Sequence, residues 1–262
     1  MYRDTVVSGL FYPSDKNKII SFIESNKTIE TAQEAKMIIV PHAGYVFSGA
    51  TAVKTISRIK LPKNIILLGP NHTGTGGRIA VYPGGKWSCP LGDVPVNENM
   101  VEKLIDKGFE SDQPAHVKEH SLEVQLPILK YFRDDLNIVP IAFKGLGFDD
   151  CRNAGKVLKD LVDETDSMIV VSSDFNHFED IETTNEKDFD AINRILDLDS
   201  KGLYDTVLSK NISMCGIIPT VVALESLEKK ENLKASLVEH TTSAETSGDA
   251  SQVVGYAGII IK

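Results

Sequence analysis

The sequence predicts an α/β fold with a central, largely parallel or mixed sheet flanked by helices. Short runs of Ile, Val and Leu alternate with longer amphipathic segments, which is the pattern of strands joined by crossover helices. The apolar runs lack an alternating polar face, as expected of strands buried on both sides. No repeat, low-complexity block or long linker interrupts the 262 residues, so residues 1–262 read as a single domain.

Five strands stand out: Met37–Val40, Ile65–Leu68, Ile138–Phe143, Met168–Val171 and a final Val253–Ile261. Between them lie helices with readable ends. Ser14 is placed to cap a helix carrying Ile19, Ile20 and Ile23, and Ser48 to cap one carrying Val53 and Ile56. Asn97 is placed to cap a helix ending at Gly108, and an amphipathic stretch covers Asn185–Leu196. Thr241–Asp249, dense in Ser, Thr and Gly, reads as loop.

Composition excludes several classes. Thirty-seven acidic against 28 basic residues leave a net charge of -9, which disfavours a nucleic-acid partner. No apolar run approaches the length of a membrane span, and Met1-Tyr2-Arg3-Asp4 does not open a signal peptide. Cys89, Cys151 and Cys215 form neither an even disulfide framework nor a Cys-x-x-Cys pair, which fits a reducing, cytoplasmic location.

Functional residues of α/β sheets gather just past the carboxyl ends of strands. Here three such ends deliver a histidine: His42 in Pro41-His42-Ala43-Gly44-Tyr45, His72 in Gly69-Pro70-Asn71-His72, and His177 in Ser172-Ser173-Asp174-Phe175-Asn176-His177. Imidazole and thiolate are the donors suited to Fe, Cu or Zn, and three protein ligands leave a position open. Taken singly, each histidine reads better as a hydrogen-bonded loop residue; the three together bring the metal reading level with that one. The glycine-rich run after His72 lacks a P-loop or dinucleotide fingerprint, so its glycines are read as turn formers beside His72.

In order along the chain, Gly9-Leu10-Phe11-Tyr12-Pro13, Pro41–Tyr45, Gly69–His72, Glu119-His120-Ser121-Leu122-Glu123-Val124-Gln125-Leu126-Pro127, Ser172–His177 and Cys215-Gly216 form a set that spans most of it. This set resembles the Memo family, which is similar in fold to the class III extradiol dioxygenases. The resemblance implies His42, His72 and Cys215 as metal ligands, with His120, Asp174 and His177 as surrounding pocket residues. It implies Fe(II) or Cu, with Zn as a further option, and redox or oxidoreductase activity. Dioxygenase relatives hold Fe(II) with two histidines and a carboxylate. Cys215 standing at the carboxylate's place argues against ring cleavage, because a thiolate is softer and itself oxidisable. The resemblance also implies a functional link to a radical SAM protein, and peptide binding as seen for a eukaryotic relative.

Residue by residue, the alternatives are specific. Cys215 reads as a small core residue or as a nucleophile needing a nearby base. His120 is expected in the pocket rather than on the metal, with Glu123 one turn on either orienting its ring or serving a helix start. His177 is a general acid/base candidate, and Asp174 either orients it or caps the following turn. Tyr45 and Trp87 line the pocket or simply pack; His116, His240, Cys89 and Cys151 are read as structural or surface residues. Two other functions therefore stand beside a metal-dependent oxidoreductase: a non-catalytic binder of a peptide or small anionic ligand, and a metal-free cysteine hydrolase using Cys215 with His177 or His120.

Overall fold

A computed structural model describes residues 1–227 and 230–262. Twelve strands occur among them. In chain order they are β1 Tyr2–Arg3, β2 Met37–Val40, β3 Asn64–Pro70, β4 Ile79–Val81, β5 Lys86–Trp87 and β6 Val94–Pro95. They continue as β7 Glu110–Ser111, β8 Asn137–Phe143, β9 Ser167–Ser172, β10 His177–Glu179, β11 Ala235–Thr242 and β12 Val253–Ile261. The main sheet runs β10-β12-β2-β9-β3-β8-β4-β7, with β11 also on β12; β1, β5 and β6 form a small separate sheet.

Four strands, β2, β9, β3 and β8, pair in parallel, while β12 joins β2 and β4 joins β8 in antiparallel fashion. The sheet is therefore mixed around a parallel centre. All four residues of β2 are buried, as are the last six of β3 and of β8, which explains their unbroken apolar runs. Helix Ala50–Ile56 packs on β2 and β12, and helix Ile217–Glu225 packs on β3, β8 and β9 under helix Phe148–Glu164. Because β9 lies between β2 and β3, the parallel centre delivers the loops carrying His42, Asp174 and His72 side by side.

Local chemistry corrects several expected ends. Asp15, not Ser14, caps the helix Lys16–Asn26 by accepting from Lys18 N. Ser48 caps nothing; it lies in a π-helical turn, Tyr45–Gly49, and its hydroxyl donates to the Ala43 carbonyl. Asn97 does cap Glu98–Asp106, through Met100 N. The Asn185–Leu196 stretch belongs to the longer helix Ile181–Leu196, capped by Asp180. Thr241–Asp249 is only partly loop, since β11 runs to Thr242 and Ala244–Ser247 forms a helical turn. Among the described residues, no helix is long and apolar enough to cross a membrane.

The amino terminus is locked by one buried ion pair. Arg3 Nη1 donates to Glu123 Oε2 at 2.8 Å, with side-chain exposures of 2% and 0%. The same guanidinium donates to the His116 and Glu119 carbonyls and lies 4.1 Å from the Trp87 ring centre. Glu123 also accepts from Val6 N, Val7 N and the Tyr12 hydroxyl, so neither oxygen is left bare. Truncating one partner of such a pair leaves an uncompensated buried charge. Glu123→Ala is expected to lower unfolding free energy by about 3–5 kcal/mol, measured by urea denaturation; a loss below about 1 kcal/mol would show that this clamp does not hold the segment.

Candidate metal centre

His42 follows β2 directly, and its position is fixed at both backbone and ring. Its backbone N–H donates to Asp174 Oδ1 at 2.7 Å, and ring Nδ1 lies 3.0 Å from Ser172 Oγ. The Ser172 hydroxyl already donates to the Ser121 carbonyl at 2.7 Å and accepts from Gln125 Nε2 at 2.9 Å. Its single proton being used, Ser172 has only a lone pair for His42, so Nδ1 carries the imidazole proton and Nε2 is left with its lone pair.

His72, just past β3, reaches the same state by a different partner. Its Nδ1 donates to Glu119 Oε1 at 2.9 Å, and its backbone N–H donates to Glu119 Oε2 at 2.6 Å. Ser121 N adds a third N–H to that carboxylate at 2.9 Å. Burial by itself would raise the Glu119 carboxyl. The hydrogen bond and charge of His72, with Ser121 N–H and His120, outweigh it and hold the group down at about 2. An ionised carboxylate only accepts, so Nδ1 of His72 carries a proton and Nε2 is the nitrogen facing away from Glu119. After His72 the chain turns at Gly74 and Gly76, whose φ values of 68° and 77° favour glycine.

The rings of His42, His72 and His120 meet, with centroid separations of 5.2, 5.5 and 4.7 Å. One nitrogen from each falls within 4.8 Å of the others, a group able to hold a metal ion. His120 was expected only in the surrounding pocket; it stands inside this cluster, resting on Phe11 at 4.8 Å. Glu123 does not orient it, because both Glu123 oxygens are committed to the amino-terminal clamp. The carboxylate nearest the His120 ring is Glu119, 3.6 Å from Nδ1. Burial first, then neighbouring histidines, keeps His42 well below the usual imidazole range; burial also lowers His120. Neutral imidazole is the form that binds metal.

Cys215 arrives from a loop ahead of helix Ile217–Glu225 and places Sγ 3.3 Å from His42 Nε2. Two ligands sharing one tetrahedral ion, at about 2.1 Å for nitrogen and about 2.3 Å for sulfur, stand roughly 3.5 Å apart. That spacing suits an ion shared with His42, but the donor atoms that gather within 4.8 Å of one another are those of His42, His72 and His120, and Cys215 is not in that group. Gly216 makes this approach feasible: a Cβ there would lie 2.3 Å from Ser173 Cβ and 3.0 Å from the Ser172 carbonyl oxygen. Burial, then the Asp174 carboxylate, pushes the Cys215 thiol well up.

Asp174 sits beside the cluster, its Oδ2 4.0 Å from His42 Nε2. It does not orient His177. That ring is held by the Ser213 carbonyl, 2.9 Å from Nδ1, while the Ser213 hydroxyl accepts the His177 backbone N–H at 2.7 Å. A carbonyl only accepts, so Nδ1 of His177 is protonated and Nε2 is free. Ser213 and Glu119 are the site residues that sequence reading missed, although Glu119 lies within a quoted motif. Tyr45 and Trp87 do not line the cavity: Tyr45 is buried with its hydroxyl on the Val124 carbonyl, and Trp87 is packed beneath Arg3. His116 is buried against the Ala80 carbonyl and His240 bonds Asp188, so both are structural.

Comparison with known proteins agrees with this arrangement at the level of fold and family. Residues 3–260 match the family model described as Memo-like protein. A MEMO1 family protein of Aquifex aeolicus is 38% identical, with 98% of each chain covered. One from Thermotoga neapolitana is 36% identical with both chains fully covered, and one from Methanopyrus kandleri is 34% identical over 100% of this chain and 99% of the relative. An uncharacterised Escherichia coli K12 protein of known structure shares the fold with a TM-score of 0.51 at 13% identity, covering 86% of this chain and 99% of its own. With its whole length matched and its histidine motifs gathered at one sheet edge, the chain belongs to the Memo family.

Proposed function

We propose that this protein binds one Fe or Cu ion through His42, His72 and Cys215, with His120 in reach of the same ion, and carries out redox chemistry on a small molecule. The observation that carries this reading is the convergence of ring nitrogens from His42, His72 and His120, with the other ring nitrogen of His42 and of His72 already committed. Ser172 and Glu119 accept from Nδ1 of His42 and His72, which leaves Nε2 of each ring as the nitrogen open to an ion. A preset tautomer removes a cost that a free histidine meets on binding.

When bound, such an ion supplies one-electron chemistry and Lewis acidity. Cys215 would donate as thiolate, its proton leaving as the ligand set forms. His177, free at Nε2 and lining the same cavity, is placed to hold or pass a proton. Asp174 fixes the His42 backbone and faces its ring nitrogen. The cysteine substitution for a carboxylate sets this donor set apart from extradiol dioxygenases, so ring cleavage is not proposed. A metal-free hydrolase is disfavoured by the thiol itself, because a buried thiol held protonated is a poor nucleophile.

Anaerobic purification followed by elemental analysis should find close to one equivalent of Fe or Cu, and His42→Ala/His72→Ala should lose it; retention by the double variant would overturn the ligand assignment. Glu119→Gln, which leaves every proposed ligand in place, is expected to weaken metal affinity by about 10–100-fold in a chelator competition. In the metal-free protein at pH 7, Cys215 should alkylate more than about tenfold slower than an unperturbed thiol. Rapid alkylation of Cys215, with loss of a hydrolytic activity, would restore the hydrolase reading.

A further inference from the structure

The cavity beside the histidine cluster, about 370 Å³, has two chemically different walls. One is the cluster with His177 and Asp174; the other is Leu10, Phe11, Val46 and Phe47. Among the described residues, no Lys or Arg lines it. Isolated apolar side chains on a surface need no explanation, but here they collect at one mouth. Leu10 is 80% exposed, Val46 66% and Phe47 41%, and all three border this cavity.

We propose that Leu10, Val46 and Phe47 form a subsite for the apolar body of a ligand whose polar head engages the histidine cluster. The head's engagement through metal rests on the function proposed above; the apolar subsite does not. The absence of cationic side chains in the lining sets the ligand class. A multiply charged phosphate or acidic peptide would meet Asp174 with no Lys or Arg to balance it, whereas an uncharged or singly ionised head on an apolar body matches both walls.

The test uses two probes with one metal-binding head, acetohydroxamate and octanohydroxamate, titrated calorimetrically into the full-length protein loaded with redox-inert Zn(II). Octanohydroxamate should bind at least about tenfold tighter, since each methylene buried contributes roughly a fourfold gain. Leu10→Ser/Val46→Ser, both exposed positions, should lose most of that gain while acetohydroxamate affinity and zinc content stay unchanged. Equal affinity of the two probes for the natural protein, or an undiminished gain in the variant, overturns the subsite. The metal-free protein separates the two readings: there octanohydroxamate should still bind weakly and saturably, and the variant should lose it. If acetohydroxamate fails to bind the zinc-loaded protein while this chain-length effect persists, the metal reading fails and the subsite stands.

Discussion

The site depends on a seam of buried polar side chains at alternate positions of one short segment. Glu119, Ser121, Glu123 and Gln125 are all fully buried, and each ties a different part of the chain to the segment. Glu119 takes three N–H groups from the His72 loop and Ser121. Ser121 donates to the Pro70 carbonyl at the end of β3. Glu123 holds the amino terminus through Arg3, and Gln125 bridges the Pro41 carbonyl and Ser172. Left unpaired in this interior, each group would carry a desolvation penalty of about 1–3 kcal/mol, more where charged. The strand ends are consequently held where the seam's partners require them, and the histidine rings follow.

That arrangement does chemical work beyond support. The same hydrogen bonds that satisfy the seam decide which nitrogen of His42 and His72 bears the proton, and burial keeps His42 neutral. The cluster is thereby prepared for a cation in a chain whose net charge is -9. Fold likeness to a structure at 13% identity says nothing of the reaction, so the chemistry has to be argued from the donor set. The proposed donors, two imidazoles and a thiol with a third imidazole beside them, would form a softer set than two histidines and a carboxylate.

Much of the scaffold was legible because burial leaves a plain trace. The strands β2, β3, β8, β9 and β12 are predominantly apolar runs rich in Ile, Val and Leu, and nearly all of their residues are buried as such runs demand. The short strands, two or three residues each, leave no periodic signal and were not foreseen. Nor was β11, which is only partly buried along nearly its whole length. His42 and His72 could be read from their places after strands. Partnerships could not: the nearness of Glu123 to His120, three residues away, suggests either an orienting contact or a helix-start role, yet Glu123 bonds Arg3 120 residues back. The hold of Ser213 on His177 spans 36 residues with no local pattern to announce it. Local caps failed for a related reason, since Ser48 found a nearby carbonyl and left its helix to begin without it.

The central claim is that sulfur and imidazole nitrogen from these loops share one ion. Extended X-ray absorption fine structure on the anaerobically purified, metal-containing protein measures this most directly. The account predicts one sulfur scatterer at about 2.3 Å with two or three nitrogen scatterers at about 2.0–2.1 Å, the sulfur contribution disappearing in Cys215→Ser. A shell of oxygen and nitrogen alone in the natural protein, unchanged by Cys215→Ser, would contradict it.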